Sequence, residues 1–130
     1  MSDIETTKKL AAKRQIDAAI AHFEKSELEC AITLAGAAEE ALPGPCEGHP
    51  FPILREYPTF KRIGWDWNEA RNWLKHDKGP DARTIYQGEA ALMIYRAIGK
   101  YSVTHKEIPN WWRQFLAWGA ARDYFPAEIA

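Results

Sequence analysis

Apolar residues near the start of the chain recur at helical spacing. Ala12, Ile16, Ala19, Ile20 and Phe23 share one face of a stretch rich in Ala, Lys, Gln and Glu, with neither Gly nor Pro. That pattern predicts a first helix over 5–25. Ser26 then reads as an N-cap, with Glu27 and Glu29 in a first turn where the helix dipole favours acids. A second helix over 27–42 follows, with Leu28, Ala31, Ile32, Ala35, Ala38 and Leu42 as its apolar set. Its run Ala35, Gly36, Ala37, Ala38 allows another helix to approach closely. The two elements read as an antiparallel helical hairpin.

Residues 43–60 break the pattern, since five prolines and two glycines in PGPCEGHPFPILREYPTF forbid a long regular element. The apolar residues Phe51, Ile53, Leu54, Tyr57 and Phe60 predict an ordered but comparatively mobile loop, lying as a lid over any cleft near the third helix. That third helix is expected over 67–77, capped by Asp66 and stopped by Gly79 and Pro80. A fourth over 85–104 follows an Arg83–Thr84 cap and carries Ile85, Leu92, Met93, Tyr95, Ile98 and Tyr101. A fifth over 109–123 starts at Pro109 and carries Trp111, Trp112, Phe115, Leu116 and Trp118. No run alternates with period two over more than a few positions. The expectation is an all-α, single-domain antiparallel bundle of about five helices spanning 1–130.

Composition narrows this little. The chain has 130 residues, enough for a core without staples, and a net charge of −1 that gives no global basic field. No apolar run approaches the roughly 18–20 residues of a membrane span, so no membrane association is expected. The N-terminal MSDIETTKKL has no apolar segment after its charges, so a cytoplasmic setting without a secretory leader is expected. Cys30 and Cys46 form no CxxC pair, and Cys30 reads as a small buried hydrophobe. The surplus of aromatic residues on the last three helices predicts a homodimer.

Most familiar chemistries lack their residues. No Glu is followed three positions later by His, and the four histidines are scattered, so no metal site and no cofactor are expected. Phosphate loops of the GxxxxGK[ST] or GxGxxG kind are absent, as is a GxSxG elbow. What remains is NEARNWLKHDKGPD, residues 68–81. On a regular helix Arg71 and His76 stand about 140° apart. Trp67, Ala70 and Leu74 are the positions expected to turn inward, leaving Arg71, Asn72, Lys75 and His76 across the other side. One reading is structural: Lys75 and His76 oppose the helix dipole, and Arg71 pairs with Asp66 or Glu69. The other is chemical. Residues 55–83 hold seven Lys and Arg against five acids, a mild excess for phosphate contact, and Trp65, Trp67 and Trp73 can stack bases or fill the core.

The segment R-N-W-L-K-H, Arg71 to His76, on the third helix of a helical bundle resembles the motif of the HEPN superfamily (higher eukaryotes and prokaryotes nucleotide-binding). The Ala-rich hairpin ending in TLAGAAEEAL, residues 33–42, is similar to that superfamily as well. Over roughly residues 12–120 the chain looks like a group of bacterial proteins that pair such a hairpin with an R-N-aromatic-apolar-K-H segment and an aromatic C-terminal helix. The resemblance implies a homodimer whose two motifs face one another, and a metal-independent ribonuclease. His76 would be the acid/base, Arg71 the stabiliser of phosphate charge and Asn72 the orienting group. Lys75, Lys78 and Trp65 are candidate RNA-binding residues. Other members of the superfamily are non-catalytic ligand-binding, antitoxin or scaffold modules, and the same fold then implies an interaction with a protein partner.

Overall fold

The computed structural model describes residues 2–43 and 68–126. Within them the chain is all-α: α1 Lys8–Glu24, α2 Leu28–Ala41, α3 Glu69–Lys75, α4 Gln87–His105 and α5 Asn110–Ala121, with no strand among the described residues. The lid expected over 43–60 lies almost wholly outside them, as do Trp65, Trp67, Asp66 and Cys46.

α1 starts three residues later than its composition predicts because Thr7 caps it, Oγ1 accepting from Leu10 N at 3.0 Å. The predicted apolar face is the observed one: Ala12, Ile16, Ala19, Ile20 and Phe23 are all buried. Ser26 ends this helix instead of capping the next. Its φ is 62°, its N–H donates to Phe23 O at 3.0 Å, and Glu27 N–H donates to His22 O at 2.9 Å. That pair of bonds satisfies the last carbonyls of α1 and reverses the chain. α2 packs back along α1 in the predicted hairpin, burying Ala31, Ile32, Ala35, Gly36 and Ala38.

Cys30 is exposed. It lies one position off the stripe that Ala31 and Ala35 define, so the expectation that it is a buried hydrophobe is corrected.

α4 is the central element, buried continuously from Gly88 to Gly99 and packed on both helices of the hairpin. It begins at Gln87, not at Ile85, because the Glu89 carboxylate accepts from Tyr86 N–H at 3.0 Å and fixes the first turn there. α5 closes the remaining side. Trp112 is fully buried and donates its indole N–H to Asp17 Oδ1 at 2.6 Å, tying α5 to α1. Phe23 meets the rings of Phe115 and Trp118 edge-on, with centroids at 5.5 and 5.1 Å. Past α5, Asp123 takes φ 57° and the chain folds back, so that Phe125 is buried against Tyr95 with ring centroids 4.4 Å apart.

Candidate functional site

The short α3 is held to the bundle mainly by charge. Glu39 on α2, 1% exposed, accepts from Arg96 on α4 through both carboxylate oxygens, at 2.7 Å each. The same guanidinium donates from Nη1 to Asn68 Oδ1 at 2.8 Å, which fixes the residue preceding α3. Lys100 Nζ donates to the Glu39 carbonyl at 2.8 Å. Opposite, Arg83 pairs with Glu89 at 3.0 Å and with Glu69 at 3.5 Å. α3 therefore sits between two ionic clamps, with Ala70 as its one buried residue.

Arg71 does not face outward with Asn72 and His76. It lies against α2, mostly buried, with Nη1 3.3 Å from Glu40 Oε1 and 3.8 Å from Glu39 Oε1. Gly36 makes this possible: a Cβ there would stand 2.5 Å from Arg71 Cδ. Of the two partners that the sequence suggests for Arg71, only Glu69 can be compared, and it is corrected. Glu69 is taken by Arg83, and Asp66 lies outside the described residues. Lys75 also turns to α2, its Nζ 3.2 Å from Glu40 Oε2. The Glu40 carboxyl is held below its usual range, first by the Lys75 hydrogen bond and then by the Arg71 charge, with burial working the other way.

α3 stops at Lys75, two residues before the predicted end. His76 has left the helix for an extended backbone (φ −122°, ψ 147°), although its N–H still donates to Asn72 O at 3.0 Å. Gly79, at φ 86°, completes the turn. The Trp73 indole N–H then donates to Pro80 O at 2.7 Å and pins the returning strand of chain. These turns leave an open cleft of about 620 Å³ whose walls include Asn72, His76, Lys78, Trp73, Arg83 and Tyr86. His76, Asn72 and Lys78 are exposed, and Tyr86 is half-exposed.

The candidate residues thus divide. Asn72, His76 and Lys78 share the cleft, while Arg71 and Lys75 line a separate groove against α2 with Thr33, Gly36, Ala37 and Glu40. Sequence reasoning missed Glu39, Glu40, Arg83, Glu89, Arg96 and Tyr86. A signal for two of them existed. Glu39 continues the buried row Ile32–Ala35, and Arg96 follows Leu92 by one helical turn, so each charge falls on a core position. Among the described residues no three His, Cys, Asp or Glu side chains gather as a metal site, and no helix is long and apolar enough to cross a membrane. Compared with known proteins, the chain matches no family model, no curated protein and no solved structure.

Proposed function

We propose that this protein is a HEPN-like homodimer that cleaves RNA without a metal ion. The observation that carries the reading is the position of His76, exposed on extended backbone in an open cleft beside Asn72 and Lys78, with the aromatic walls Trp73 and Tyr86. Its imidazole can take the proton of the RNA 2′-OH as that oxygen attacks the adjacent phosphorus. It can equally protonate the departing 5′-oxygen. The products are a 2′,3′-cyclic phosphate and a free 5′-hydroxyl. Asn72 would orient the imidazole or the phosphate, Lys78 would attract the backbone, and the two aromatic rings offer faces on which bases stack.

Arg71 and His76 of one chain open onto different sides of α3. Pairing two α3 segments about a two-fold axis would set the arginine of one protomer toward the histidine of the other, where the guanidinium can stabilise phosphate charge. The test is incubation of the purified protein with structured and unstructured RNA in EDTA, alongside His76→Ala, with end-group analysis of the products. Cleavage that survives EDTA, ends in cyclic phosphate and disappears in the variant supports the reading. Cleavage that His76→Ala leaves intact removes it. Sedimentation of a monomer at tens of micromolar removes the dimer.

One observation favours a second reading. Arg71 already has two carboxylates of its own chain beside it, as a residue that only braces α2 against α3 would. On that reading the protein is a non-catalytic ligand-binding or protein-interaction module. A full loss of folding in Arg71→Ala, with no RNA cleavage by the wild type, would select it.

A further inference from the structure

Arg71 is poorly satisfied for so buried a cation. Its side chain is 15% exposed, and its Nε is buried without a hydrogen-bond partner among the described residues. Its two carboxylate neighbours stand at 3.3 and 3.8 Å, beyond the roughly 2.7–2.9 Å of a charge-assisted hydrogen bond. Arg96, whose partner Glu39 precedes Glu40 on α2, makes such bonds at 2.7, 2.7 and 2.8 Å among the described residues. The difference has a geometric cause. Arg96 holds Glu39 with both prongs, so Arg71 is left to share Glu40 with Lys75, whose Nζ is itself 3.2 and 3.3 Å from that carboxylate.

Glu40 therefore answers two cations and makes a short bond to neither. Its side chain is 48% exposed, so one side of the carboxylate already faces water. The groove that holds these groups measures about 170 Å³, and Thr33 adds a hydroxyl to its wall. Two donors on one small groove, with a loosely held carboxylate between them, match the requirements of an oxyanion with several acceptor oxygens.

We propose that Glu40 is an internal competitor for phosphodiester: it holds Arg71 and Lys75 in the unliganded protein and swings into solvent when an RNA phosphate docks between them. The inference rests on the RNA reading above and adds the resident carboxylate that the substrate displaces. Arg71 Nε gains an acceptor in that exchange, and the carboxylate regains full hydration.

The experiment measures binding alone, using a short fluorescent 2′-O-methyl oligoribonucleotide, which lacks the attacking hydroxyl and cannot be cleaved by this chemistry. Fluorescence anisotropy is followed across a salt series for the wild type, Glu40→Gln, Glu29→Gln and Glu40→Gln/Arg71→Gln. Glu40→Gln is expected to bind on the order of threefold more tightly. Its salt dependence should steepen by about one released counterion. Glu29→Gln, which removes the same charge from an exposed site on α2, should leave both unchanged, and the double variant should lose the gain. Equal or weaker binding by Glu40→Gln overturns the proposal, as does an equal gain in Glu29→Gln. Should Glu40→Gln lose its helical circular dichroism, Lys75→Met decides: unchanged affinity and salt slope overturn the proposal. A gain in Glu40→Gln from a protein that cleaves no natural RNA keeps the competitor and rejects catalysis. No binding by any variant overturns the competitor and leaves catalysis to the cleavage assay.

Discussion

Glu39 and Arg96 face one another as a two-pronged ion pair, both contacts at 2.7 Å and both side chains 2% exposed. The pair ties α2 to α4 in the interior and, through Asn68, positions the start of α3. Its value is asymmetric, because a buried charge left without its partner costs far more than the intact pair contributes.

Removing either partner alone should accordingly be severe. Glu39→Ala and Arg96→Met are each expected to lower stability by about 3–5 kcal/mol in urea denaturation. The combined Glu39→Leu/Arg96→Met protein should recover much of that loss. A pair of mild single variants would show that the charges are solvated in solution.

Phe125 is expected to act as the latch of the C-terminal end. A Cβ at Gly119 would run into the Phe125 ring, which has no room to retreat because it lies flat on Tyr95. Gly119→Ala should therefore destabilise by about 1–3 kcal/mol through overpacking. Phe125→Ala should cost about 3–5 kcal/mol through the cavity it leaves. Near-ultraviolet circular dichroism should weaken in both. An unperturbed Gly119→Ala protein would show that the tail is not seated there.

Alkaline unfolding should run through Tyr101. Its hydroxyl is pushed up to about 12, first by burial and then by the hydrogen bond and charge of Glu107. The folded value stands above the unfolded value of about 10. The stabilisation is thus whole below pH 10 and declines as pH rises toward 12, because the unfolded chain releases the proton first. Tyr101→Phe should flatten the alkaline limb of the stability profile, with a smaller change on the acid limb because the Tyr101 hydroxyl, after Lys9, helps hold the Glu107 carboxyl below its usual range. An unchanged alkaline limb would place the transition on other groups.

His76→Ala should separate chemistry from folding. The residue is exposed, and its backbone N–H bond to Asn72 survives the substitution. The variant should stay within about 0.5 kcal/mol of wild-type stability. A large fall in thermal midpoint would assign His76 a structural role and withdraw it as an acid/base.

The residues that form the helices declare themselves locally. The 3.6-residue rows of α1 and α2 are visible because each helix buries one face and that face is mostly apolar, Glu39 on α2 being the exception. Boundaries were less legible. Thr7 and Glu89 set two of them through single side-chain hydrogen bonds to the backbone, Ser26 sets a third through its left-handed backbone, and each residue type serves several such roles. The motif around Arg71 and His76 could be read as a string, but its division could not. Which side of α3 a guanidinium takes depends on a missing side chain at Gly36 and on a carboxylate thirty-one positions upstream at Glu40. Those are contacts between elements, set when α3 docks on the hairpin. Sequence alone determined that this protein is helical and where its unusual polar segment lies. Only tertiary packing decided that Arg71 turns inward to α2 while His76 opens to solvent, because ion pairing over long separations follows the approach of helices and not their spacing along the chain.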